Sequence, residues 1–190
     1  MEKPFEPYSL SQTADDFERD YVRPSEGRTL IVGSKVYGGR PDRRSLFPDA
    51  IGVDMLPGDG VDFVANLESQ DVSARLGMFD HIECTSVLEH SRKPWKLSAN
   101  LERMLKPEGS LYLSVPFVWR VHAYPNDYFR FTAEGVRVLF PRVGWLSLLY
   151  GFRDRLYPKP VSRLYAGNDE DGLHVFDRAE VFGFGRRLRT

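Results

Sequence analysis

Five groups of residues in this chain have types and spacings that could do chemistry. Gly33 closes one apolar run, and Asp54 closes the next, about 20 residues later. A glycine at such a point lets backbone come close to a ligand without a Cβ in the way. A carboxylate at the end of the following run can accept hydrogen bonds from both hydroxyls of a ribose. Taken singly, the two are a turn glycine and a turn aspartate; taken in this order and spacing, they point to a nucleoside-type ligand. Asn66 and Leu67 follow a third run, and read either as the frame of a base or as a capping amide and a core leucine. Thr85 and Ser86 follow a fourth, offering space and hydroxyls. Histidine suits general-base work because its unperturbed pKa lies near neutrality. His90 and His122 both follow strand-like runs and are the candidates for it, although His90 can equally anchor a loop. His81 lies inside a run and reads as structural, while His174 has no assignable role. Tyr124, Tyr128 and Arg130 surround His122 in sequence, either as the lining of a substrate site or as a packed cluster. No metal site is expected. The chain has no H-E-x-x-H motif and one cysteine, and Glu68 and Glu89 read as solvated or capping.

The elements that must position these groups alternate. Residues 28–32, 49–54, 61–65, 79–85, 110–115, 145–152 and 180–186 read as strands. Residues 93–105 carry Trp95, Leu97, Leu101, Met104 and Leu105 at helical spacing and stop at Lys106-Pro107-Glu108-Gly109. A second helix runs from Thr132, a good N-cap, to Phe140, with Glu134 near the capping-box position. Short apolar strands between helices argue for a mostly parallel sheet with helices on both faces. The last two strands have no helix between them, only a loop over 153–172, so the final strand is expected to be antiparallel. The expected fold is α/β and Rossmann-like, with seven strands. Residues 1–27 read as an N-terminal arm with a short helix in SQTADDFERDYV, and residues 28–190 as the domain. In such a sheet, ligands bind beyond the carboxyl ends of the strands, where the strand order reverses.

Composition narrows the function classes. The 190 residues are 42% hydrophobic, enough for one ordinary core. Lys and Arg total 26 against 27 Asp and Glu, which gives no support to a nucleic-acid partner. A single cysteine forms no internal disulfide. No apolar run reaches bilayer-spanning length, and MEKPFEPYSL does not read as a secretory signal. The expectation is a cytoplasmic monomer or homodimer without a membrane partner.

The series TLIVGS, IGVD, VANLE, FDHIECTSVLEH and LKPEGSLYLSVPF resembles the class I S-adenosylmethionine-dependent methyltransferases, closest to the methyltransferase domain 11 group. The likeness continues through HAYPNDYFRFTAEGVRVLF, and EVFGFGRR is similar to the family's seventh strand. The resemblance implies S-adenosylmethionine as cofactor. Gly33 and Ser34 would border its methionine moiety, Asp54 would hold the ribose hydroxyls and Met55 would pack on adenine. Asn66 and Leu67 would lie along the adenine edge, and Thr85 and Ser86 would face the cofactor. The family's first loop usually reads G-x-G-x-G after an acidic residue. Here Ile31 holds the acidic place, Lys35 stands at the second glycine, and Gly38 and Gly39 come later. Lys35 then either pairs with the cofactor carboxylate or points to solvent.

The implied reaction is in-line methyl transfer to a small-molecule acceptor (a sugar, a glycan precursor or a secondary metabolite), with His90 or His122 as base. A nicotinamide-dependent reductase would want G-x-G-x-x-G or G-x-x-G-x-x-G at Gly33 and a Tyr-x-x-x-Lys pair, and the chain has neither there nor among its late tyrosines. The altered glycine loop keeps open an inactive module that binds S-adenosylmethionine or a partner. The Asn/Asp-Pro-Pro-aromatic run of base-amine methylation is absent, since Thr85-Ser86-Val87-Leu88 stands in its place.

Overall fold

The structure, a computed structural model, describes residues 27–122, 126–152, 155–157 and 179–189, together with Arg19. Most of the expected N-terminal arm and most of the 153–172 loop lie outside the described residues, as does Tyr124. The elements are β1 (Arg28–Val32), β2 (Asp49–Asp54), β3 (Phe63–Val64), α1 (Gln70–Leu76), β4 (Phe79–Thr85), α2 (Pro94–Met104), β5 (Leu105–Val118), α3 (Ala133–Leu139), β6 (Val143–Phe152), β7 (Arg155–Tyr157) and β8 (Ala179–Arg187). Short 3-10 turns span Arg43–Leu46 and Leu88–His90.

All eight strands form one sheet in the order β3-β2-β1-β4-β5-β8-β6-β7. β3, β2, β1, β4 and β5 pair in parallel. β8 inserts antiparallel between β5 and β6. The seven expected strands are therefore present with the expected antiparallel last strand, and β7 is an added three-residue edge that folds back on β6. The chain runs outward from β1 to β3 and returns to β4 on the other side of β1, so strand order reverses between β1 and β4.

β1 is buried on both faces because its apolar side chains alternate. Leu30 and Val32 join one core with Val53, Ile82, Cys84, Leu111 and Leu113. Ile31 joins the other with Phe47, Tyr112, Leu149, Phe182 and Phe184. The three described helices feed the first core through Leu76, Leu97, Leu101, Met104, Ala133 and Val136. The second core receives Leu46 and Phe47 from the Arg43–Leu46 turn and its cap.

Helix α2 starts with Pro94, whose missing N–H would have no intrahelical partner in any case. Its inward stripe is Leu97, Leu101 and Met104, and Trp95 is 55% exposed rather than part of the core. The helix ends at Met104, and the Leu105 N–H closes the last turn on the Leu101 carbonyl. β5 begins there, earlier than the expected Ser110. Lys106 to Gly109 form an irregularity in its pairing with β4, with Glu108 at φ 64°. On α2, the Asn100 side-chain amide donates to the carbonyls of Leu67 and Ser69, which fixes the chain leaving β3. Thr132 caps α3 as its type suggests, its hydroxyl accepting from the Gly135 N–H at 2.9 Å.

Candidate functional site

The strand tips beside the order reversal carry the residues singled out by sequence. Register places Val32 opposite Val53 and Cys84, so Gly33 lies between Asp54 and Thr85. Gly33 turns at φ 70°, a region an L side chain enters only with strain, and a Cβ there would meet Val87 Cγ2 at 2.5 Å. The N–H groups of Gly33 and Ser34 both donate to the Val53 carbonyl, at 2.8 and 3.1 Å. Gly52 is needed one layer below, since a Cβ on it would sit 2.0 Å from the Gly60 carbonyl oxygen. That close approach folds the loop after β2 against the loop after β1, and the Val36 N–H donates to Asp59 O at 2.9 Å.

Asp54 ties the two loops together. One carboxylate oxygen accepts the Lys35 N–H at 3.2 Å and the other the Leu56 N–H at 2.9 Å. Each oxygen has a second lone-pair site. The Lys35 stem lies against Gly58 and its ammonium stands 5.2 Å over the Tyr37 ring. Gly33, Met55, Asn66 and Ser86 are all exposed, and Met55 exposes 55% of its surface. The tips of β1, β2 and β4 are thus open along this row. Asn66 makes a local turn, its side-chain oxygen accepting the Glu68 N–H at 2.9 Å. Leu67 is 6% exposed and belongs to the core. Ser86 takes φ 53°, and its N–H donates to Ser114 O at 2.9 Å, which anchors the β4 tip to β5.

A second constellation lies past the tips of β4 and β5. Glu89 is 1% exposed, so it is neither solvated nor a cap. Burial pushes its carboxyl up to about 8, with the nearby charges of Glu180 and Asp127 acting in the same direction. Its Oε1 is 3.7 Å from His90 Nε2 and 4.0 Å from His122 Nε2, and its Oε2 is buried with no hydrogen-bond partner. The two imidazoles meet edge to face, with centroids 4.8 Å apart. His90 Nδ1 bonds the Asn126 carbonyl at 2.7 Å, and burial holds its pKa below the usual value. His122 Nδ1 lies 3.0 Å from Asp127 Oδ2. Asp127 also accepts the His122 backbone N–H and both ends of the Arg130 guanidinium. The Arg130 hydrogen bonds, foremost, keep its carboxyl far below the carboxylate range. The Tyr128 N–H donates to Glu89 O, so the loop after β5 is laced onto the turn after β4.

Residues 52–113 match the methyltransferase domain family model. No curated protein matches the chain. Solved structures do. The N-methyltransferase NodS of Bradyrhizobium japonicum, in complex with S-adenosylhomocysteine, is 12% identical with a TM-score of 0.53, over 96% of this chain and 92% of that one. YcgJ of Bacillus subtilis is 15% identical with a TM-score of 0.57, over 87% and 94%. A SAM-dependent methyltransferase of Methanosarcina mazei is 12% identical with a TM-score of 0.57, over 92% and 98%. The fold is that of the class I methyltransferases.

Within this methyltransferase fold, Gly33, Ser34, Lys35, Asp54 and Met55 come together with Thr85 and Ser86 along one row of strand tips. Asn66 borders the row after β3, whereas Leu67 turns into the core. His90 and His122 come together at a separate point, past β4 and β5. Tyr128 is exposed there, its hydroxyl accepting from Arg92 Nε at 2.9 Å. Arg130 is committed to Asp127 and to the carbonyls of Trp119, Arg120 and Phe129. Sequence reasoning read Glu89 as solvated or capping and did not single out Asp127. The only signal for either was adjacency, Glu89 beside His90 and Asp127 within the same polar loop. Glu68, expected to be solvated or capping, accepts from the Ser91 hydroxyl at 2.7 Å and the Lys93 N–H at 3.3 Å. No helix among the described residues is long and apolar enough to cross a membrane.

Proposed function

We propose that this protein transfers a methyl group from S-adenosylmethionine to a small-molecule acceptor. The observation that carries the reading is the open row at the order reversal. An exposed glycine, a carboxylate with spare lone pairs and an exposed methionine stand side by side at the ends of β1 and β2. These residues suit a nucleoside: Asp54 accepts from the ribose hydroxyls, Met55 packs on the adenine face, Asn66 borders its edge, and Thr85 and Ser86 flank the ligand from β4. When bound, the cofactor supplies an electrophilic methyl on a positively charged sulfur. Gly33 and Ser34 border its methionine end. The chain's remaining task is to hold an acceptor in line and exclude water, and alignment of that kind accounts for about 7–11 kcal/mol of a barrier. His90, His122 and Tyr128 stand on the acceptor side, past β4 and β5.

S-adenosylhomocysteine binding, measured by calorimetry, tests the reading. If Asp54 holds the ribose, Asp54→Ala weakens binding by about 1.5–3 kcal/mol, roughly 10- to 150-fold. Unchanged affinity removes Asp54 from the site, and no binding by the wild type removes the reading. One observation favours the second reading, an inactive nucleoside-binding module. The Gly33 and Ser34 N–H groups and the Lys35 ammonium are all engaged within the protein. Tight binding of S-adenosylhomocysteine, with no transfer of labelled methyl to any of a panel of sugar and metabolite acceptors, would favour that module.

A further inference from the structure

Three atoms converge past the tips of β4 and β5, and hydrogen bonding dictates what each presents. The Asn126 carbonyl can only accept, so the His90 Nδ1 facing it carries a proton. His122 Nδ1 faces the Asp127 carboxylate at 3.0 Å and the Arg120 carbonyl at 3.3 Å, both acceptors, so it too carries a proton. In its neutral form, each ring then presents a bare lone pair at Nε2. Both lone pairs lie beside Glu89, whose carboxylate is 1% exposed and keeps one oxygen without a partner. With both rings neutral and Glu89 ionised, three lone-pair donors within 4.8 Å of one another repel unless a cation lies between them. We propose that Glu89, His90 and His122 bind a first-row divalent cation such as zinc, with Asp127 and the Asn126 carbonyl orienting the two imidazoles.

The donor set suits that class of ion. Two imidazoles and one carboxylate with a position left open form a known arrangement for catalytic zinc and for other first-row divalent ions. A tetrahedral ion about 2.1 Å from each donor needs donors about 3.4 Å apart. The carboxylate oxygen stands 3.7 and 4.0 Å from the two nitrogens, and all three donors lie within 4.8 Å of one another, so side-chain rotation has to draw them together to close the site. Imidazoles that ligate metals usually donate their other N–H to a carboxylate or a backbone carbonyl, and both kinds of partner are present here.

The site's use, though not its existence, rests on the methyl-transfer reading. An acceptor hydroxyl bound at the open position loses its proton to water more readily. Its oxygen then forms the new O–C bond as the C–S bond breaks and its electron pair returns to sulfur.

Untagged protein, stripped with a chelator and titrated with zinc, should take up one equivalent per chain. Cobalt at the same site should give visible absorption bands. Glu89→Gln and His122→Ala should each weaken zinc binding more than 10-fold, and Asp127→Asn about 10- to 100-fold, with circular dichroism reporting whether each variant is folded. No stoichiometric uptake by the wild type means that Glu89 holds a proton instead, and overturns the proposal. Equal uptake by wild type and folded variants means adventitious binding, and does the same. S-adenosylhomocysteine affinity is measured on the same stripped proteins. Nucleoside binding by a protein that takes up no metal sinks this inference alone, and metal uptake by a protein that binds no nucleoside sinks the methyl-transfer reading alone.

Discussion

At the residue scale, His81 shows how a buried side chain writes itself into stability. It is fully buried in β4, on the face opposite Ile82 and Cys84, with its ring centroid 5.3 Å from that of Phe47. Its Nδ1 meets Ser110 Oγ at 2.8 Å, and its Nε2 has no hydrogen-bond partner. Burial lowers its pKa to about 4. The unfolded chain titrates at about 6.5, so between these values the unfolded state binds the extra proton. The stability that neutral His81 contributes is complete above about pH 6.5 and drains away toward pH 4, at about 1.4 kcal/mol per pH unit. Urea unfolding at pH 7 and pH 4.5 reads this out. The stability lost between the two should be about 2 kcal/mol smaller in His81→Gln than in the wild type, and equal losses would place the acid sensitivity elsewhere. That His81 is structural could be read from its place inside an apolar run. The same kind of reading misplaced Glu89, because nothing local tells a capping carboxylate from a buried one. Its burial is created by the loop that carries Asn126, which is 36 residues from His90 in sequence.

At the scale of elements, α3 is a seven-residue helix whose first turn relies on two outside partners. The Thr132 hydroxyl accepts the Gly135 N–H, and the Tyr150 hydroxyl on β6 accepts the Ala133 N–H at 2.9 Å. Thr132→Ala leaves one helix-end donor without its partner and should cost about 1 kcal/mol, with Thr132→Ser near wild type. Chemical denaturation checks this, and a loss in Thr132→Ser equal to that in Thr132→Ala would point to the methyl group rather than the cap. The cap was legible because its chemistry lies within four residues. So were the strands β1, β2 and β4, each an apolar run ended by a glycine, an aspartate or a hydroxyl residue. The start of β5 was not, because Lys106-Pro107-Glu108-Gly109 has the composition of a turn. It is held inside the strand as an irregularity by tertiary partners, with Leu105 opposite Phe79 and the Lys106 ammonium 2.9 Å from the Asp80 carboxylate. Trp95 misled for the opposite reason. Its spacing fits the apolar stripe of α2, but the stripe is already filled by Leu97, Leu101 and Met104.

At the scale of the whole molecule, the proposed nucleoside row spans the point where the sheet's two directions of growth meet. β1 and β2 belong to the outward run and β4 to the return. A ligand touching Gly33, Asp54 and Ser86 therefore bridges segments that unfolding separates, and it binds the folded chain alone. S-adenosylhomocysteine at 100 times its dissociation constant should stabilise the fold by about 2.7 kcal/mol. For a domain of this size that raises the melting temperature by roughly 5–10 °C. Asp54→Ala, at the same ligand concentration and with affinity reduced roughly 10-fold or more, should retain about 1.4 kcal/mol or less of that gain. Its unliganded melting temperature need not match the wild type, because Asp54 also accepts the Lys35 and Leu56 N–H groups that hold the two loops. The ligand-induced increment separates these roles. A lower baseline with an undiminished increment makes Asp54 a loop tie only, whereas a diminished increment on any baseline makes it a ligand contact.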